Sequence, residues 1–295
     1  MEYRLEQVRQ SAVLMRENLA VLQDKFPLET ARLREIGALL TALQETALQR
    51  EEVAAEYRRL RGSTLRLKRN VPDRNLLAAL LLLSVEERSA AAQQAIHRYL
   101  VLRQEGFAED YLFLTCLWLT IRLGTEAEEQ TREKACRLRA LYRAAHISLP
   151  AGEEECYLQW LSCLPNPAEE LTTRLEQQYD GLKDIVFSPA LRLCLAAERT
   201  VLKDETSPGP DKTRGEEQVM RLLLPAGEET EILIAAAEKE LCATGTLAPF
   251  YRKKQRREYA AALAAGASIG GASSECGIAA SIALTRYLIT ATSHQ

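Results

Sequence analysis

Histidine is nearly absent from this chain of 295 residues, with only His97, His146 and His294. None stands in His-Glu-x-x-His or Glu-x-x-His spacing, so a zincin site and a ferritin-like carboxylate–histidine site both lack their ligands. Glycine and proline are sparse as well, at 14 and 10 residues, below the roughly 12% of an average chain. That scarcity disfavours sandwiches, barrels and disorder. There is no Walker A string and no Gly-x-Ser-x-Gly elbow, and the aspartate-rich diphosphate motifs are missing. The stretch Gly266-Ala267-Ser268-Ile269-Gly270-Gly271 is glycine-rich, yet it lacks the strand and the lysine of a phosphate loop. No enzyme class, cofactor or metal site emerges.

Cysteine is present without a pattern. The seven residues Cys116, Cys136, Cys156, Cys163, Cys194, Cys242 and Cys276 are odd in number and form no Cys-x-x-Cys pair. Several sit in apolar runs, where a reduced thiol behaves as a small hydrophobe, and a reducing cytosol suits them. The opening residues carry acids at once and no apolar core, so a secretory signal is not expected. Charge is nearly balanced at −3, which argues against a polycation built for nucleic acid.

What the chain does have is helical periodicity. Leu5, Val8, Ala12, Met15, Leu19, Leu22 and Phe26 alternate in steps of three and four, so they share one helical seam. Pro27 interrupts it, and a second seam runs through Leu33, Ile36, Leu40, Leu43 and Ala47. A loose repeat follows, in which apolar helices (Ala38–Leu43, Ala78–Leu83, Leu114–Leu119, Leu158–Leu164, Leu191–Ala197) alternate with amphipathic ones carrying Tyr57, Tyr99, Tyr142 and Tyr179. Each apolar helix is expected to open a unit that the tyrosine helix completes. Ser84-x-x-Glu87 and Thr125-x-x-Glu128 read as capping boxes, Asn166-Pro167 as an N-cap with a proline at N1, and Ser188-Pro189 likewise.

The expected fold is therefore all-α: stacked antiparallel helical hairpins, either α-solenoid-like or an irregular α-bundle. An N-terminal helical hairpin (1–70) packs on the body, hairpin repeats fill 71–202, a polar linker with Pro208-Gly209-Pro210 spans 203–218, and C-terminal helices occupy 219–295.

The run Tyr57-Arg58-Arg59-Leu60-Arg61-Gly62-Ser63-Thr64-Leu65-Arg66 leads through a basic patch into Asn75-Leu76-Leu77-Ala78-Ala79-Leu80-Leu81-Leu82. With Glu105-Gly106-Phe107, Asp110-Tyr111-Leu112 and the Ala-rich tail, it resembles the bacterial, mainly Gram-positive, helical domain-of-unknown-function family numbered 4003. The resemblance implies a cytoplasmic bacterial protein. It carries over no catalytic residue.

Two basic clusters are candidate interaction patches. The first holds Arg58, Arg59, Arg61, Arg66, Lys68 and Arg69, continuing to Arg74; the second is Arg252, Lys253, Lys254, Arg256 and Arg257. Either would attract an acidic partner, but neither has the interleaved aromatics of a single-strand platform. Beyond the second cluster, Gly266, Gly270, Ser274, Gly277 and Ser281 fall in steps of four, four, three and four, so one continuous helix would align them as a stripe for a close helix–helix contact. That contact would lie inside the body or join two copies through the C-terminal helix. A basic collar before an uncharged stretch also suits a membrane surface, although Glu275 argues against a span. The acids Glu153-Glu154-Glu155 are expected to load a helix N-terminus. The leading expectation is a non-enzymatic scaffold whose partner is another protein. Alternatives are a peripheral membrane protein and an enzyme or ligand-binding protein, with Glu, Arg and Tyr residues distant in sequence converging between helices.

Overall fold

The computed structural model describes residues 1–64, 75–108, 110–123, 128–145, 152–184, 186, 188–202, 220, 223–224, 227–242, 253–269 and 274–292. Every regular element among these residues is helical: α1 (Glu2–Lys25), α2 (Ala31–Leu43), α3 (Arg50–Thr64), α4 (Asn75–Leu83), α5 (Arg88–Gln104), α6 (Leu112–Leu123), α7 (Glu128–Ala145), α8 (Glu153–Leu161), α9 (Ala168–Gly181), α10 (Pro189–Leu202), α11 (Glu228–Cys242), α12 (Lys253–Ile269) and α13 (Ser274–Thr292). The expected all-α class is what the chain adopts.

Burial sorts the helices into two kinds. All nine residues of α4 are buried, as are Glu154–Leu161 of α8. A helix apolar around its circumference must be covered on every side. By contrast, α5 buries the stripe Ala92, Ala95, Tyr99 and Leu102, and α9 buries Ala168, Leu171 and Leu175. Those are one-sided helices of an outer layer. The repeated tyrosines all lie on this outer set, in α3, α5, α7 and α9, with Tyr99 and Tyr142 buried.

The inner helices touch in order: α2 on α4, α4 on α6, α6 on α8, α8 on α10, α10 on α13 and α13 back on α2. The stack of hairpins is thus closed rather than open-ended, and α13 also packs directly on α8. Beside this ring, α11 and α12 pack on each other and on α1, and α12 also packs on α2 and α13. The repeat phase differs from the sequence expectation. Four outer helices pack most extensively on the inner helix that follows (α1 on α2, α3 on α4, α5 on α6, α9 on α10), while α7 divides its packing between α8 and α9. Periodicity marks which helix is apolar, but not which of its two chain neighbours lies closer.

Local details also move. Thr30 caps α2, its hydroxyl accepting from the Leu33 N–H at 3.2 Å, and the Ser188 hydroxyl accepts from the Leu191 N–H in α10. The Ser84 box and the Asn166 cap do not form. Ser84 donates to the Leu81 carbonyl at the end of α4 while Glu87 is the N-cap of α5, and Pro167 rather than Asn166 is the N-cap of α9. Thr125 lies outside the described residues, as does the linker at 203–218. The second seam stops at Leu43, so Ala47 is exposed in the link to α3, where Glu45 has φ 54°.

Candidate functional site

On the first basic cluster, α3 exposes Arg58 and Arg61, while Arg59 turns inward. Its guanidinium donates to both carboxylate oxygens of buried Glu56, and it reaches the Ser89 hydroxyl at 3.2 Å. Arg66, Lys68 and Arg69 lie outside the described residues. In the second cluster, Arg257 pairs with Glu231 of α11 at 2.9 Å and Arg256 is half-buried. Lys253 and Lys254 open α12, and Arg252 lies outside the described residues. Part of each patch is therefore spent on internal pairing.

The small residues fall on two helices instead of one. Gly266 belongs to α12 and Ser274, Gly277 and Ser281 to α13, while Gly270 lies between them outside the described residues. Of these, Gly266 makes the tight approach: a Cβ there would sit 2.4 Å from Leu43 Cδ2 of α2. Around Gly277 nothing described lies within 4 Å. Residues Tyr259 to Ala265 are at most 1% exposed, so their apolar surface is spent on the protein interior. No described helix is long and apolar enough to cross a membrane.

The three glutamates do load the first turn of α8, with Glu154 and Glu155 buried and Glu153 half-buried. Glu155 Oε1 accepts from Arg139 Nε and Arg143 Nη2, both at 2.6 Å, and its Oε2 accepts from the Ala108 N–H. Arg139 continues to the carbonyls of Glu105 and Gly106 and lies over the Phe107 ring at 4.7 Å. One carboxylate thereby ties the α5–α6 turn to α7 and α8. Gly152, the N-cap of α8, has φ 69°, and a Cβ on it would meet Ala108 Cβ at 2.2 Å. Only glycine combines that backbone with that proximity.

A second constellation joins residues more than two hundred positions apart. Tyr259 of α12 donates to Glu35 Oε2 of α2 at 2.6 Å and accepts from Arg32 Nη1 at 2.6 Å. Arg32 also lies 3.6 Å from Glu258 and over the rings of Tyr259 and Tyr287 at 5.2 and 5.7 Å. Burial raises the pKa of the Glu35 carboxyl, against the opposing pull of the Tyr259 hydroxyl and of Arg32. Glu35 also borders a groove of about 280 Å³ between α1 and α2, with Gln23 and Arg34 on its walls. Arg34 is itself held by the Phe26, Pro27 and Glu29 carbonyls.

A third lies where α8, α10 and α13 meet. Arg286 pairs with Glu153 at 3.0 Å, and Trp160 Nε1 donates to Thr285 Oγ1 at 2.9 Å. Nearby, the Cys194 thiol lies 3.8 Å from Glu198 Oε1, and Tyr157 is wholly buried beside it. Burial drives the Glu198, Cys194 and Tyr157 pKa values well upward, favouring their neutral forms. Among the described residues no His, Cys, Asp and Glu group has the arrangement of a metal site. His97 is exposed, and His146 and His294 lie outside the described residues.

Both of the latter constellations escape sequence reading, because their members come from helices far apart in the chain. The one available signal is Arg286, an isolated charge in the strongly apolar α13; Glu35, Glu198 and Glu258 each adjoin an arginine. In comparisons with known proteins, no family model matches the chain, and no curated protein or solved structure matches it either.

Proposed function

We propose that this protein is a non-enzymatic scaffold, a cytoplasmic helical module that acts by binding another protein. The observation that supports the reading is how the buried charges are used. Glu155 with Arg139 and Arg143, Glu153 with Arg286, and Glu35 with Tyr259 and Arg32 each tie neighbouring hairpins together. Ionisable side chains that hold a ring closed make a rigid platform, with the outer helices turned to solvent. Exposed Arg58 and Arg61 on α3 form the face best suited to an acidic partner. Cross-linking and affinity capture with the wild type and with Arg58→Glu/Arg61→Glu tests it. A partner lost with the charge reversal and at high salt supports docking through this face. Turnover of a metabolite by the purified chain, without any such partner, refutes the scaffold reading.

The groove beside Glu35 favours a second reading, a small-ligand protein. Glu35, Arg34 and Gln23 line it together with Leu19 and Pro27, and the Tyr259 hydroxyl of α12 holds the Glu35 carboxylate from behind. A co-purifying molecule seen by native mass spectrometry, and lost on Glu35→Gln, would establish it; a ligand-free spectrum from freshly isolated protein would remove it.

A further inference from the structure

We propose that the groove between α1 and α2 binds a small apolar α-amino acid as its zwitterion. This inference rests on the reading of that groove as a small-ligand site and names the ligand; the scaffold reading is unaffected by it.

Glu35 is the anchor. It borders the groove, yet it is only 3% exposed. The Tyr259 hydroxyl holds its Oε2 at 2.6 Å, and its Oε1 accepts no hydrogen bond among the described residues. Burial works against the ionised form of this carboxyl and raises its pKa. Arg32 and Arg34 pull the other way, but Arg32 is shared with Glu258 at 3.6 Å and Arg34 with three carbonyls. An ammonium in the groove would give Oε1 both a donor and a counter-charge.

One turn away the groove suits the opposite sign. Ala31, the first residue of α2, borders it on the same helix face as Glu35, about 6 Å back along the axis. The N-terminal partial charge of this thirteen-residue helix favours an anion there. Arg34 lines the groove as well. Its Nη1 is committed to the Phe26, Pro27 and Glu29 carbonyls, which fixes the guanidinium, while Nη2 donates to none of the described residues. A free α-amino acid carries this pair of charges on a single carbon. Leu19 and Pro27 supply apolar walls for its side chain, and the half-buried Gln23 amide can accept a second ammonium N–H. At about 280 Å³ the groove falls just below the roughly 300–1,000 Å³ of pockets for drug-sized ligands, so it calls for a smaller occupant.

The test uses the full chain, titrated calorimetrically at neutral pH with L-valine, L-leucine and L-methionine. Separate titrations use 3-methylbutylamine and 4-methylpentanoate, which keep the leucine side chain and one charge each. Saturable binding of at least one amino acid is expected, with both single-charge analogues weaker by about tenfold or more. Affinity should fall by a similar factor in Glu35→Gln and in Ala31→Trp, and stay within about twofold in Arg58→Ala on α3. Ala31 is exposed, so Ala31→Trp obstructs the groove without touching the Glu35–Tyr259 contact and keeps the test decisive if Glu35→Gln unfolds. The proposal fails if either single-charge analogue binds as tightly as the amino acid, or if Ala31→Trp binds as the wild type does. If none of these compounds binds while freshly isolated protein carries another molecule in native mass spectrometry, the ligand class is wrong and the small-ligand reading stands. If the fresh protein is also empty, both fall.

Discussion

Replacing Glu198 by Gln should make the protein progressively more stable than the wild type as pH rises. Glu198 is 0% exposed on α10; its Oε1 faces the Cys194 thiol at 3.8 Å and its Oε2 has no partner among the described residues. The groups around it are Cys194 and Arg199 on its own helix, then Tyr157 of α8 and Arg286 of α13 through Cys194. Burial outweighs the attraction of Arg199, so the folded-state pKa lies well above the ordinary 4.5. For a carboxyl raised in this way, stability is fully present below the unfolded pKa and is lost as pH climbs towards the folded one. Between those limits the native state holds one more proton than the unfolded chain, and stability drops by about 1.4 kcal/mol per pH unit. Glu198→Gln should not lose this, so each pH unit inside that window widens the gap between the two proteins by about 1.4 kcal/mol. Glu35 and Glu153 shift in the same direction but are common to both proteins, so they cancel in the difference. Urea denaturation of both proteins at pH 4.5, 5.5 and 7.0 measures the gap. Parallel stability curves would refute the reasoning, because they would mean that Glu198 ionises in the fold as readily as outside it.

Removing the Glu155 carboxylate with Glu155→Ala strands Arg139, which is only 15% exposed, and should cost about 3–5 kcal/mol in denaturant unfolding. The two glycines of the C-terminal pair should behave oppositely. Gly266→Val forces a side chain against Leu43 and should destabilise by about 1–3 kcal/mol. Gly277→Ala has open space and should stabilise by about 1 kcal/mol in the same assay. Among the described cysteines, exposed Cys242 should react with Ellman's reagent at pH 8 within minutes. Buried Cys156, its pKa pushed up to about 12, should react only on unfolding. Thr285→Val leaves the Trp160 indole N–H without its acceptor and should cost about 1–3 kcal/mol, read from thermal melts.

Local pattern alone determined a good deal: the all-helical class, the seams of α1 and α2, the alternation of apolar and amphipathic helices, and the acids in the first turn of α8. Each depends on residues within a turn or two of one another, where a period near 3.6 and the loss of a donor at proline act directly. Tertiary structure decided the rest. Closure of the ring requires α13 to return to α2, and the partnership of Arg32, Glu35 and Tyr259 requires α12 to pack on α2. The capping box at Ser84 and the N-cap at Asn166 failed for a related reason, since a weak local preference yields when packing shifts a helix start by a few residues. The burial of Gln159 on α8 was invisible for the same cause: no periodicity distinguishes an amide that packs inside from one that faces water. Packing of α5, α6, α7 and α8 against one another makes that distinction.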